Sequence, residues 1–273
     1  MSTLYIVGTP IGNLDDISPR ALETLETVDF IAAEDTRVTL KLLNRFEIKN
    51  KLISCHKHSG SSVFTGIIQR LQAGETCALV SDAGMPCISD PGQELVAMCY
   101  EHGIKVCVIP GPTAALSALS ISGLDTSRFS FEGFLSVTKK QRRAHLEEVK
   151  GYKHTLIFYE APHKLIYTLK DMLEVFGDRR ISLCRELTKI HEEVIRTTLS
   201  QAVTLYESLT PKGEFVLIIE GAPQNDNEAT LSFEDALDLV KQLCDEGEKL
   251  SNACKIIASK TEFSKSELYN ALC

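Results

Sequence analysis

The feature that most constrains this chain is an alternation running through residues 1–118. A short apolar run is followed by a loop rich in Gly, Pro or Asp, and then by a stretch with helical apolar spacing. TLYIVGTP opens on a short apolar run, and FIAAE, KLISCH, TCALVS and KVCVIP are likewise short and apolar, so they read as strands, TCALVS as a buried one. Between them, ISPRALETLETVDF spaces Ala21, Leu22, Leu25 and Val28 along one helical face, with Ser18 as N-cap and Pro19 at the first position. TRVTLKLLNRF places Val38, Leu42 and Phe46 on one face, SSVFTGIIQRLQAGE stops near Gly74, and QELVAMCYEHG closes at Gly103. Strands alternating with helices predict an α/β domain over residues 1–118, built on a parallel, doubly wound sheet.

After Gly123 the pattern changes. RFSFEGFL, HTLIFYEA, RRISLCREL, EVIRTTL and GEFVLIIEG read as strands, with helices in KLIYTLKDMLEVFG and LSQAVTLYESL. Several connections are short enough for antiparallel pairing, which predicts a second α/β domain over 119–223 with a mixed sheet. GAPQNDNEATL is polar and turn-forming and reads as a linker. It leads to a small helical module over 231–273 of helix-turn-helix type, with Ser251 and Ser264 as expected N-caps.

Composition narrows the class. The chain has 273 residues, 44% of them apolar, and a net charge of −8, values of an ordinary globular protein large enough for about two domains. An acidic balance excludes a general nucleic-acid coat, which needs a broadly basic surface. The nine cysteines include no C-x-x-C pair and sit mostly in apolar segments, so neither a disulfide framework nor a zinc site is expected and a reducing cytoplasm is. MSTLYIVGTP has no basic region ahead of an apolar one, so no signal peptide is expected. Residues 106–124 carry no charge, but Pro110, Gly111 and Pro112 interrupt them, which predicts a strand, a turn and a small-residue helix instead of a membrane span.

Four loops concentrate the unusual residues: GTPIGN (8–13), AEDTR (33–37), SDAGMPCISDPG (81–92) and PGPTAA (110–115). Each follows an expected strand, and carboxyl ends of strands are the ligand edge of an open α/β sheet. None is a Walker loop, and GTPIGN lacks the third glycine of a dinucleotide fingerprint. Glu34, Asp35, Asp82 and Asp90 would crowd negative charge at this edge, which a metal ion or a cationic cofactor would offset. Histidines with ligand spacing are absent, which leaves no expected transition-metal site. Arg37 offers another reading, an ion pair that simply holds the loop.

VGTPIGNLDDIS, AAEDTR, SDAGMPCISDPG, PGPTAALSALSISGL, FEGFL, FYEAPHK and RELTKIHEEV follow one another in this order. Together they resemble the small-subunit ribosomal RNA 2′-O-ribose cytidine methyltransferases of the tetrapyrrole methylase superfamily. The resemblance runs over about residues 4–222, and the tail is similar to a helical domain that often ends these proteins. It implies S-adenosylmethionine bound in a cleft between two α/β domains, a homodimer, and a cytidine near the decoding centre of the small subunit as acceptor. Carried over onto this sequence, the cofactor contacts are Pro10, Ser81, Asp82, Ala83, Gly84, Pro86, Ile88, Thr113 and Ala114. Tyr159, Glu160, Leu187, Phe215 and Val216 are added from the second domain. A ribose hydroxyl is a poor nucleophile, so a general base is expected among Glu34, Asp35, Asp82 and His163, with Asp35 first because it lies in a strand-end loop of the cleft.

RNA requires local basic surface. Residues 36–58 carry net +5, with Arg37, Lys41 and Arg45 recurring every four residues along one helix face. Residues 136–156 carry net +4 and include Lys139, Lys140, Arg142 and Arg143. More than half of the net negative charge lies in 224–273, at −5, so the rest of the chain is near neutral. Two other readings remain at this point: a methylase acting on a tetrapyrrole carbon, and a ribosome-assembly factor without turnover.

Overall fold

In the computed structural model, residues 2–56, 61–223, 232–261 and 263–273 are described; Lys57 and most of the expected linker lie outside them. The elements follow in the order β1 (Thr3–Val7), α1 (Pro19–Thr27), β2 (Phe30–Ala33), α2 (Thr36–Arg45), β3 (Leu52–Ser54), α3 (Ser61–Gln72), β4 (Thr76–Val80), α4 (Gln93–Glu101), β5 (Lys105–Ile109) and α5 (Ala114–Ser122). The five strands form one parallel sheet in the order β3-β2-β4-β1-β5. Its central strands β1, β2 and β4 are buried on both faces, and the period of two sorts their side chains. Leu4, Ile6, Phe30, Ala32, Cys77 and Leu79 pack with Ile67, Leu71 and Leu95 of α3 and α4. Val7, Ile31, Ala33, Ala78 and Val80 pack with Ala21, Leu25 and Leu43 of α1 and α2. Helices on both faces are what a parallel sheet of this kind requires.

The second half contains β6 (Phe129–Phe134), α6 (Lys139–Val149), β7 (Thr155–Glu160), α7 (Leu165–Phe176), β8 (Arg180–Arg185), β9 (Glu193–Thr198), α8 (Leu199–Glu207) and β10 (Phe215–Ile219). Its sheet has the order β6-β7-β10-β8-β9, with β6 and β7 parallel and the remaining pairs antiparallel. One face carries Leu156, Phe158, Leu183, Phe215 and Leu217 against Leu146 of α6 and Leu169 and Met172 of α7. The opposite face, with Ile157, Cys184, Val216 and Ile218, receives Ala115, Ala118 and Leu119 of α5. Residue 118 therefore sits inside a continuous helix whose buried side serves the second sheet, and residues 1–222 form one compact unit.

The second unit, 223–273, comprises α9 (Phe233–Asp245), α10 (Leu250–Ala258) and α11 (Lys265–Asn270) around Ala236, Val240, Ala253, Cys254, Ile257 and Leu268. Ser264 caps α11 as expected, in a capping box with Glu267. Ser251 does not cap α10: the helix begins two residues earlier, with Lys249 at the N-cap, and Ser251 is inside it. A second shift concerns α2, where the buried positions are Thr39 and Leu43 while Val38 is exposed. Among the described residues no helix is long and apolar enough to cross a membrane.

Candidate active-site cleft

Because β1, β2, β4 and β5 are parallel, their carboxyl ends lie on one edge, and the four Gly/Pro/Asp loops that follow them converge there. Backbone contacts weld these loops together. Thr9 and Gly84 exchange two backbone hydrogen bonds of 2.9 and 3.1 Å, and the Thr9 hydroxyl donates to the Ser81 carbonyl at 3.2 Å. Gly8 is required by close approach: a Cβ there would stand 2.7 Å from the Gly111 Cα. The loop after β4 holds Cys87 and Ser89 at φ of 69° and 67°, the left-handed region that non-glycine residues seldom adopt. Such conformations cost about 1–3 kcal/mol each and persist where the surroundings over-determine them, a pattern concentrated at ligand sites.

The loops wall a cleft of about 700 Å³, within the range of small-molecule sites. Its first-sheet side presents Glu34, Asp82 and Asp90. The carboxylates are cross-linked through the backbone: the Glu34 carboxylate accepts from the Asp82 N–H at 3.3 Å, and the Asp82 carboxylate accepts from the Asp35 N–H at 3.1 Å. Burial first, and then the neighbouring carboxylates, push Glu34 and Asp82 above the ordinary carboxylate range. Asp90 is pushed up to about 6 by burial and by the charges of Glu34 and Asp82, with the Ser81 hydroxyl opposing. Three acids raised together, Glu34 and Asp90 half-buried and Asp82 exposed, define an environment that favours a cation.

The opposite side is mostly apolar, although Glu160, Glu186, Lys189 and Glu214 also line it. Phe131, Phe134, Ile157, Tyr159, Leu187 and Val216 face the cleft from the second sheet and its loops. Tyr159 meets Phe131 edge-on with ring centroids 4.9 Å apart, and its hydroxyl accepts from the Ala115 N–H at 3.1 Å, tying the second sheet to the start of α5. Glu160 is fully buried and committed locally: it accepts from the Ala161 N–H and pairs with Lys164 at 2.8 Å. A flat apolar group between the aromatic wall and the loop backbones, with a positive charge toward the acids, matches what this cleft offers.

Of the expected cofactor contacts, Asp82, Ala83, Gly84, Ile88, Thr113, Ala114, Tyr159, Glu160, Leu187, Phe215 and Val216 line the cleft. Pro10, Ser81 and Pro86 do not; all three are buried behind the loop surface, where Ser81 holds the turn by accepting from Thr9. Met85, Ser89, Ala115, Phe131, Phe134 and Cys184 also line it and were not expected.

The expectation that Asp35 takes a proton meets a geometric obstacle. Asp35 caps α2 by accepting from the Arg37 N–H at 2.8 Å, and its carboxylate is held by the Arg37 guanidinium at 2.6 Å. These bonds lower its pKa to about 2, leaving a weak base, and Asp35 is not part of the cleft wall. His163 is exposed in the turn before α7, also away from the wall. Glu34 and Asp82 are the members of the expected set that face the cavity.

The two basic segments differ. On α2, Arg37, Lys41 and Arg45 are all exposed, although Arg37 is paired with Asp35. On α6, Lys139 and Lys140 are exposed, but Arg142 is 6% exposed and forms a buried pair with Asp171 at 2.6 Å, so it cannot meet RNA as expected. Arg143 pairs with Glu174.

The pairing of a five-stranded parallel sheet with a five-stranded mixed sheet is the fold of a known class. The family model for tetrapyrrole (corrin/porphyrin) methylases matches residues 3–203. Uroporphyrin-III C-methyltransferase from Thermus thermophilus, solved with S-adenosyl homocysteine, superposes with a TM-score of 0.57 at 17% identity, covering 79% of this chain and 96% of that one. In sequence, Ribosomal RNA small subunit methyltransferase I of Halalkalibacterium halodurans is 49% identical over 270 residues, 98% of this chain and 93% of the relative. The protein of the same name from Thermotoga maritima is 46% identical over 221 residues, 81% of this chain and 99% of the relative. This chain belongs to the tetrapyrrole methylase family, within the group of the ribosomal RNA small subunit methyltransferases I.

Proposed function

We propose that this protein transfers a methyl group from S-adenosylmethionine to the ribose 2′-hydroxyl of a cytidine in small-subunit ribosomal RNA, near the decoding centre. The observation that carries the reading is the cleft itself: three acids raised above their ordinary range face an aromatic and aliphatic wall. A sulfonium with an adenine attached fits that donor set. When bound, S-adenosylmethionine supplies a methyl carbon on a positively charged sulfur that leaves as a neutral thioether.

The chain's own contribution is positioning and charge. Asp82 and Asp90 offset the cation, while Tyr159, Phe131 and Val216 exclude water from one side of the cleft. Reaction requires the acceptor oxygen in line with the methyl carbon, and fixing that approach is a large part of any acceleration. Glu34 takes the proton as the new oxygen–carbon bond forms; its raised pKa makes it a better acceptor than Asp35. Asp35 with Arg37 holds the start of α2. Lys41, Arg45, Lys139 and Lys140 remain the surface cations available to phosphates, since Arg37 and Arg143 are paired with Asp35 and Glu174. The protein acts as a cytoplasmic homodimer in this reading; its nine cysteines are all free thiols, as a reducing compartment allows.

The test is chemical. A 2′-O-methyl ribose blocks alkaline cleavage of the adjacent phosphodiester, so small-subunit RNA treated with the protein and cofactor gains one alkali-resistant dinucleotide containing cytidine. Full alkaline digestion of labelled RNA would place the methyl on a base instead and remove the 2′-hydroxyl assignment.

A further inference from the structure

A second groove, of about 710 Å³, adjoins the cleft and lies between the loop 12–15 and the loop 186–191. The two cavities share Glu186 and Lys189 as walls. We propose that this groove seats the RNA strand that carries the acceptor nucleotide: Arg45 and His191 hold a phosphodiester, Thr188 donates to it, and Ile190 packs against a base. The proposal rests on the functional reading above and adds where the substrate lies.

Four observations support it. Ile190 is 98% exposed at the groove's rim, an aliphatic side chain with nothing of its own chain to cover it. Apolar residues of this kind insert against unstacked bases in nucleic-acid complexes. The Thr188 hydroxyl is buried and has no hydrogen-bond partner among the described residues, and Thr188 and Glu186 are held at positive φ, 66° and 50°. A buried orphan donor is costly and calls for an acceptor from outside the chain. The loops are pressed together, since a Cβ on Gly12 would stand 2.5 Å from Lys189 and 2.7 Å from the Thr188 hydroxyl.

Arg45 supplies the fourth. Unlike Arg37, it has no carboxylate partner among the described residues, and it ends the α2 stripe at the groove's wall. Lys41 lies one turn back along that helix, about 6 Å along its axis, so phosphates on either side of the seat have cations to meet. Lys189 is a different kind of wall: its ammonium is already shared between Glu186 at 2.8 Å and Glu214 at 2.9 Å. Asp15 adds an acceptor suited to a ribose hydroxyl or an exocyclic amine. Cations, a lone hydroxyl donor, a carboxylate and an exposed aliphatic group together match a ribonucleotide strand better than a free phosphate.

The experiment compares wild-type protein with Ile190→Asp, His191→Ala and Arg45→Ala in methyl transfer to purified small ribosomal subunits, with S-adenosylmethionine affinity measured separately by calorimetry. Ile190→Asp and His191→Ala should each raise KM for the subunit by about tenfold or more while cofactor affinity stays within twofold. Arg45→Ala should lower the slope of log affinity against log salt by about one, as loss of a single phosphate contact does. Ile190 is on the surface, so its substitution leaves folding intact. KM within twofold of wild type for both Ile190→Asp and His191→Ala, with wild type active, would overturn the groove and leave the methyl-transfer reading standing. A wild-type protein that labels no small subunit would remove that reading, and the groove with it.

Discussion

Helices α2 and α6 look alike as sequence and behave differently as structure. Both segments are strongly basic, yet α2 turns Arg37, Lys41 and Arg45 outward, whereas α6 folds Arg142 under itself and spends Arg143 on Glu174. The difference comes from what each helix covers. α2 packs Thr39 and Leu43 on the first sheet, leaving a polar face free. α6 packs on α7, whose buried Asp171 accepts from the Arg142 Nε at 2.8 Å. Charge counted along a chain is therefore not charge offered to a partner; the packing of the opposite element decides how much reaches the surface.

The largest expected effect is at this contrast. Arg142→Ala leaves Asp171 buried and unpaired, and removal of one member of such a pair destabilises by about 3–5 kcal/mol. Urea unfolding followed by circular dichroism should show the loss, and an unchanged midpoint would mean that Arg142 is not a structural residue. The double variant Lys41→Glu/Arg45→Glu should bind small subunits at least about tenfold more weakly at physiological salt, with a flatter salt dependence and no loss of stability. Equal loss from Lys139→Glu/Lys140→Glu would break the distinction between the two helices; that pair should weaken binding only a few-fold.

The acidic side of the cleft gives a pH prediction. Asp90 ionises near pH 6 in the folded protein, well above its unfolded value near 3.8. The folded state thus holds this proton more tightly, and its contribution to stability is present below about pH 4 and lost as pH rises through 6. Cofactor binding has the opposite sense: affinity for the cationic cofactor should rise a few-fold between pH 5 and 7, as the carboxylate charges. Asp90→Asn should flatten that rise in calorimetric titrations. The smallest effect concerns the helical tail. The Thermotoga relative is covered almost completely by a 221-residue match, close to the extent of the first compact unit. A chain ending at Ala222 should therefore keep cofactor affinity within twofold.

Much of the first sheet was legible because its signals are local. Five apolar runs, Ser18 before Pro19, and the Gly and Pro after β1, β4 and β5 require no knowledge of distant partners. The same holds for the loop acids, since four parallel strands bring their carboxyl ends to one edge. Long-range contacts were not legible. The burial of Arg142 depends on Asp171, twenty-nine residues away. Phe131, Phe134 and Cys184 reach the cleft through the order of the second sheet, which no local pattern encodes. At Asp35 the competing use is local: N-capping and the Arg37 fork engage the carboxylate that a strand-end position would otherwise leave free.

The most direct test of the central claim is transfer of tritiated methyl from S-adenosylmethionine, with purified small ribosomal subunits, naked small-subunit RNA and a tetrapyrrole precursor as parallel acceptors. Label is expected in the RNA of the small subunit and none in the tetrapyrrole, with a fall of at least about tenfold in kcat for Glu34→Gln and cofactor affinity retained. Label in the tetrapyrrole and none in RNA would contradict it.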